Sequence, residues 1–220
     1  MATKITFHPE DHKYFDQNMV EFTSITTLLS QEFVFNSREI AEKVSKISSS
    51  KYHSMSVERI LEFWDNSADL GTMVHEALED YIVRDTWPSD PCLVPLVEQF
   101  SKLRFNGDLL SETLVFSEEY RLAGTIDLME VFPDKIYLFD FKTSNKISED
   151  KLMKFSLQLE LYRRMAEKQF NKPVIIIGIL WFEDFVVKRG NTKLKLIRPL
   201  HLPDVVDDIL AKRKLEIERK

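Results

Sequence analysis

Cysteine is nearly absent from the chain. Of 220 residues only Cys92 carries a thiol, so no internal disulfide can close, and the thiolate sets that hold structural zinc or an iron–sulphur cluster cannot be assembled. A reducing, cytoplasmic setting is the corresponding expectation. Glycine is scarce as well, at 5 residues, which excludes fibrous and low-complexity chains and leaves no glycine-rich phosphate loop for nucleotide hydrolysis. Long apolar runs are missing: the longest, residues 174–182, falls far short of the roughly 20 residues of a membrane helix and reads as a strand. Residues 1–10 lack both the apolar core of a signal peptide and the Arg-rich character of a transit peptide. Excess positive charge is also lacking, since 30 Lys and Arg stand against 36 Asp and Glu for a formal net charge of −6. A chain of that balance does not grip a polyanion through its overall field, although a local basic groove is compatible with it.

What is present is the balance of an ordinary folded protein, 44% hydrophobic and 30% charged, in a length that suits one domain. Residues 5–28 alternate as an N-terminal hairpin leading into a helix that Thr23 or Ser24 can cap. A second helix is expected from Asn36 or Ser37, and the Ser- and Lys-rich stretch 47–55 reads as a flexible loop. Ser56 caps a helix through Trp64, and a separate, longer helix runs over 69–84 with Leu70, Met73, Val74, Ala77, Leu78, Tyr81 and Ile82 at helical spacing and His75 on the rim. A breaker region, 87–95, precedes another helical segment that Asn106 and Gly107 end. The period then changes to two: 113–120, 122–132 and 135–141 form an antiparallel meander, its last pair joined at Pro133 and Asp134. A long helix over 148–170, a buried strand over 174–182, a strand around 194–197 and a charged helix opened by Pro203 complete an α/β order.

Chemistry concentrates on the meander. In the third strand Asp140 and Lys142 share one face while Phe139 and Phe141 take the other, so a carboxylate and an ammonium emerge together at the end of an apolar strand. A hairpin folded about Pro133 and Asp134 brings Asp127 towards them. Two carboxylates in so small a space repel unless a cation joins them, and hard oxygen ligands with an open coordination sphere suit Mg²⁺ or Mn²⁺. Each residue also has a bland reading. A lone histidine on a helix rim is more often a satisfied polar group than a ligand, an Asp–Lys pair two residues apart can be a surface ion pair contributing about 0 to 1 kcal/mol, and Gln158 and Tyr162 one turn apart are more often packing. Trp64, Trp87 and Trp181 sit in apolar contexts that favour the core over base stacking, and His8, His12, His53 and His201 show no ligand spacing.

Taken together, the strings Gly124-Thr125-Ile126-Asp127 and Asp140-Phe141-Lys142-Thr143-Ser144 resemble the motifs of the PD-(D/E)XK nucleases. His75, within Gly71-Thr72-Met73-Val74-His75-Glu76-Ala77-Leu78-Glu79, is similar to the upstream histidine of the RecB-like exonuclease branch, and Gln158-Leu159-Glu160-Leu161-Tyr162 to its Gln-x-x-x-Tyr helix. The uninterrupted form is similar to small stand-alone exonucleases, phage and mitochondrial genome-maintenance enzymes among them. The resemblance implies a restriction-endonuclease-like α/β core, a central mixed sheet with the antiparallel meander flanked by helices, over residues 69–200, with an N-terminal hairpin and helical cap over 1–68 and a C-terminal helix over 201–220. It implies that His75, Asp127, Asp140 and the backbone carbonyl of Phe141 bind one or two Mg²⁺ or Mn²⁺ ions. Lys142 then orients the nucleophile or stabilises the phosphorane, with Gln158 in support. Tyr162, Thr143, Ser144, Lys151 and Lys154 become substrate contacts, and Glu119 a further acidic candidate; Lys43, Lys46 and Lys51 are basic candidates nearby.

The function so implied is a DNA exonuclease acting on single-stranded or end-processed DNA in recombination, repair or replication, encoded in a cell or a phage. A structure-specific endonuclease of the same fold and a catalytically silent DNA-binding module are the alternatives. DNA is the expected partner and no membrane is; no residue points to a partner helicase or recombinase.

Overall fold

The period-two segments at the N-terminus pair as expected, and go one strand further. In the computed structural model, which describes residues 4–8, 13–33, 36–183, 185 and 192–219, β1 (Ile5–His8) and β2 (Lys13–Asp16) form a hairpin, and β3 (Glu21–Ser24) adds antiparallel to β2. His12 lies outside the described residues. Ser24 then caps α1 (Ile25–Glu32) by accepting from the Thr27 amide, Asn36 caps α2 (Ser37–Lys46), Ser56 caps α3 (Val57–Arg84) and Ser148 caps α5 (Glu149–Phe170). Each such oxygen satisfies an amide with no partner inside its helix and stabilises the helix by about 1 kcal/mol.

One correction concerns α3. The expected break between residues 64 and 69 does not occur, and a single helix of 28 residues runs from Val57 to Arg84. Asp65, Asn66 and Ser67 have low helix propensity but none is Gly or Pro, so nothing in the backbone forces a stop. Ser67 donates its hydroxyl to the Phe63 carbonyl instead of capping a new helix. Trp87, expected in the core, is 47% exposed and lies edge-on to Tyr81.

After α4 (Val94–Phe100) the chain enters the meander of β4 (Asp108–Ser117), β5 (Leu122–Val131) and β6 (Ile136–Lys142). Helix α5 crosses over to β7 (Val174–Glu183), which lies parallel to β6; β8 (Lys193–Ile197) pairs antiparallel with β7, and α6 (Pro203–Glu218) closes the described chain. The result is an eight-stranded open mixed sheet in the order β1-β2-β3-β5-β6-β7-β8, with β4 also on β5. Helices cover both sides. One core layer packs Leu28 and Leu29 of α1, Leu157 and Leu161 of α5 and Ile209 of α6 against the sheet; the other packs Val74 and Leu78 of α3 and Phe100 of α4 against Phe139, Phe141 and Phe182. This is the α/β architecture expected from the sequence, and it is compatible with a restriction-endonuclease-like core.

Two irregularities in β5 position the site. Leu122 and Ile126 join the first layer, as strict alternation requires, but so does Met129, while Leu128 joins the second. The alternation therefore slips at Asp127 and Leu128. Opposite, in register between the pairs Ser111 with Leu128 and Thr113 with Ile126, stands Glu112 with a left-handed φ of 46°. The second irregularity is a fork. β5 pairs with β3 only at Leu122 and Ala123, and with β6 only from Leu128 to Val131. Residues 124–127 face the gap between those neighbours.

A candidate metal centre at the fork of the central strands

Register alone places three acids in one row. Glu112 lies opposite Asp127, and the β5–β6 ladder, whose last pair is Leu128 with Phe139, would set Asp127 beside Asp140 one step further on. There the ladder stops, and the Asp127 carboxylate takes over: its Oδ2 accepts from the Phe141 amide at 2.6 Å. Asp127 is thus an interior residue of β5 rather than the end of a strand, and its side chain holds the fork open while occupying it.

From the other side of the sheet α3 delivers His75. Its Nδ1 lies 3.5 Å from both Glu112 Oε1 and Asp127 Oδ1, and donor atoms of His75, Glu112 and Asp127 all fall within 4.8 Å of one another. The ring stands edge-on to Phe141, which sets its orientation. Asp140 is 2% exposed, and its Oδ1 accepts from Lys142 Nζ at 2.6 Å. The Lys142 ammonium also sits 4.8 Å from the centre of the Phe155 ring.

The electrostatics describe a site short of positive charge. Burial pushes the Asp140 carboxyl well above the usual range, opposed by Lys142 and reinforced by Asp127. Burial also raises Glu112, with His75 opposing and Asp127 reinforcing. For His75 burial favours the neutral ring, but Asp127 and then Glu112 outweigh it and the pKa is pushed up to about 8. Burial likewise disfavours the Lys142 ammonium, yet Asp140 and Asp127 hold its pKa above the ordinary value. Three carboxylates thus face one ammonium and one titratable imidazole. Moreover, Glu112 Oε1 and Asp140 Oδ2 are buried with no hydrogen-bond partner among the described residues; the 3.5 Å approach of His75 to Glu112 is a charge contact without hydrogen-bond geometry. Buried carboxylate oxygens without donors are costly unless a cation meets them. The donor set of two or three carboxylates and one imidazole fits a divalent ion.

Over 91 residues, 41% of this chain, the sequence is 28% identical to an ATP-dependent helicase/nuclease subunit of Streptococcus equi subsp. zooepidemicus (strain H70). The match spans only 7% of that protein's length. No family model matches the chain. The kinship is therefore with a nuclease-containing protein, and it is distant.

Among the residues expected at the site, His75, Asp127, Asp140 and Lys142 converge. Glu112, which no motif in the sequence flags, joins His75 and Asp127 in the tightest group. The upstream acid expected at Glu119 is elsewhere: it lies in the turn after β4, exposed, and pairs with Lys214 at 3.1 Å and Lys168 at 3.8 Å. Gln158 donates to the Tyr162 hydroxyl at 3.3 Å, and Tyr162 is 4% exposed. Its ring lies so close under β5 that a Cβ on Gly124 would come within 2.5 Å of Tyr162 Cε1. That contact explains Gly124, and it places Tyr162, expected as a substrate contact, as a buried support beneath the fork. Thr143 packs against α3 at Gly71. The Ser144 carbonyl accepts from the Trp181 indole at 2.5 Å and its hydroxyl lies 3.5 Å from Lys151 Nζ. Lys154 donates to Ser30 at 3.1 Å. Lys43 is engaged by Glu39 on its own helix. No helix among the described residues is long and apolar enough to cross a membrane.

Proposed function

We propose that this chain is a divalent-metal-dependent deoxyribonuclease that hydrolyses phosphodiester bonds from the ends of single-stranded or end-processed DNA. The observation that carries the reading is the row of Glu112, Asp127 and Asp140 across three adjacent strands, in which Glu112 Oε1 and Asp140 Oδ2 are buried without a hydrogen-bond partner among the described residues. His75, Glu112 and Asp127 would hold the ion, and Asp140 Oδ2 and the Phe141 carbonyl are the further ligands available beside them. The ion's contribution at such a site is to activate water and to neutralise charge on the phosphate. An imidazole among the ligands suits Mn²⁺ at least as well as Mg²⁺.

The protein's own part is positioning. Asp140 fixes the Lys142 ammonium at the mouth of the fork, where it donates a hydrogen bond to a phosphate oxygen or to the attacking water. Asp127 ties the β6 backbone to β5 through the Phe141 amide, so ligands from two strands keep their spacing. Gln158 and Tyr162 brace β5 from α5. The kinship with a nuclease-containing protein supports the reaction class.

The test is a time course on linear and covalently circular single-stranded DNA with Mg²⁺, with Mn²⁺ and with EDTA. Metal-dependent loss of the linear strand alone is expected. Equal attack on the circle would make the enzyme an endonuclease, and no metal-dependent cleavage of either would make the chain a silent binding module.

A further inference from the structure

Beside the acid row opens a cleft of about 470 Å³ that the proposed reaction leaves unused. Its floor is the segment Thr143, Ser144, Asn145 and Lys146, which follows Lys142 directly in the chain. Its far wall is the N-terminal half of α3 and the loop before it, which contribute Phe63, Trp64, Lys51 and Tyr52. Such a volume lies within the range that holds a small organic ligand.

The wall is an aromatic platform already set in place. Tyr52 stands edge-on to Phe63 and Trp64, with ring centres 5.8 and 5.9 Å away, and the Trp64 indole donates to the Tyr52 hydroxyl at 3.0 Å. All three rings are half-buried and line the opening. The Lys51 ammonium lies 4.8 Å from the centres of both the Tyr52 and the Phe63 ring. Lys146 and Lys151 line the same space, and none of these three lysines pairs with an acid among the described residues. In a chain of net charge −6, three cations gathered without counter-charge mark a place for an anion. Burial and the neighbouring Lys51 both work against the Lys151 ammonium, as expected where like charges wait for a partner. The half-buried side chain of Asn145 adds a polar amide to the floor, its oxygen accepting no hydrogen bond among the described residues.

Rings, and ammonium groups without an acidic partner among the described residues, match the parts of an unpaired nucleotide: a π-face and a phosphate. We infer that this cleft is a stacking site for the unpaired end of the DNA strand whose scissile phosphate lies at the acid row, with a base against the Tyr52 and Phe63 wall and phosphates on Lys51, Lys146 and Lys151. The inference rests on the nuclease reading above for the identity of its strand. It gives the site a reason to prefer single strands, because a base held in a duplex presents no free face to a ring.

The experiment measures binding apart from cleavage. The full chain in EDTA is titrated with a labelled oligodeoxythymidylate and with an abasic strand of equal length and charge, read by fluorescence anisotropy. The strand with bases is expected to bind about tenfold tighter or more. Phe63→Leu should remove most of that difference, and Lys51→Gln should weaken both strands together. Equal affinity of the wild-type protein for the two strands overturns the inference without recourse to any variant, as does undiminished discrimination by a folded Phe63→Leu protein. Cleavage in Mn²⁺ is followed separately on the same strands. Base discrimination without cleavage overturns the nuclease reading and keeps the cleft; cleavage without base discrimination does the reverse.

Discussion

Replacing Glu112 by Gln should make the metal-free protein more stable and at the same time deaf to metal. Donor atoms of His75, Glu112 and Asp127 lie within 4.8 Å of one another, and two carboxylates at that separation repel by about 3 kcal/mol at an effective dielectric constant of about 20. His75 offsets much of this, so neutralising Glu112 should stabilise the empty site by about 1 kcal/mol, or about 2 to 4 °C in Tm for a chain of this size. The amide changes neither size nor shape, so packing contributes little. With metal the order reverses. At free Mn²⁺ about 100 times Kd the native protein gains about 2.7 kcal/mol, or about 5 to 11 °C. Loss of a charged ligand should raise Kd by at least about 100-fold, more than loss of an outer partner does, and the gain at the same Mn²⁺ then falls to about 0.4 kcal/mol. Differential scanning fluorimetry of both proteins, in EDTA and in Mn²⁺, reads all four values. A Glu112→Gln protein that gains as much from Mn²⁺ as the native one would refute the assignment of Glu112, and a lower Tm in EDTA would refute the charge argument behind it.

Other consequences are as direct. Lys142→Met should cut kcat by about 100-fold or more while the Mn²⁺-induced rise in Tm persists; it also strands the buried Asp140 at a cost of about 3 to 5 kcal/mol, part of which Asp140→Asn in the same chain should restore. Gly124→Ala drives a methyl group into Tyr162 and should cost about 1 to 3 kcal/mol in chemical denaturation, with much less lost in a Tyr162→Val background. His75, at about 8 instead of 6.5, gives the metal-free fold up to about 2 kcal/mol that is fully present below pH 6.5 and lost as pH rises through 8. Because a ligating imidazole must be neutral, Mn²⁺ affinity should climb with pH and level off above about 8, with proton release visible in calorimetry below it.

Much of this was legible in the residues. Strand and helix signals around the meander are strong: alternation sets Asp140 beside Lys142, and the short hairpin brings Asp127 towards them, although the alternation slips at Asp127 itself. The cap at Ser56 is readable, and Ser24 is one of two candidates, because their oxygen-bearing side chains precede apolar periodicity; the sequence marks residues 36 and 148 only as approximate helix starts. Glu112 was not, for a physical reason: the sequence places the start of the strand at Thr113, and the left-handed backbone that turns Glu112 into the site carries no glycine or asparagine to announce it. The slip in β5 hides equally well, since Ile126, Leu128 and Met129 are all apolar and the pattern cannot show which layer each joins. Tyr162 illustrates the opposite case. Its spacing from Gln158 was plain, but only the close approach to Gly124 shows that the pair props up the fork from beneath. The continuity of α3 through Asp65 and Asn66 likewise depends on packing at both ends of the helix, which local propensity does not record.

The most direct measurement is the anomalous difference map of a crystal soaked in Mn²⁺. A peak is expected at the fork, about 2 Å from His75, Glu112 and Asp127, with Asp140 on its far side. A map with no Mn²⁺ at those residues, or with the ion held elsewhere, would contradict the claim that this row of acids exists to hold a metal.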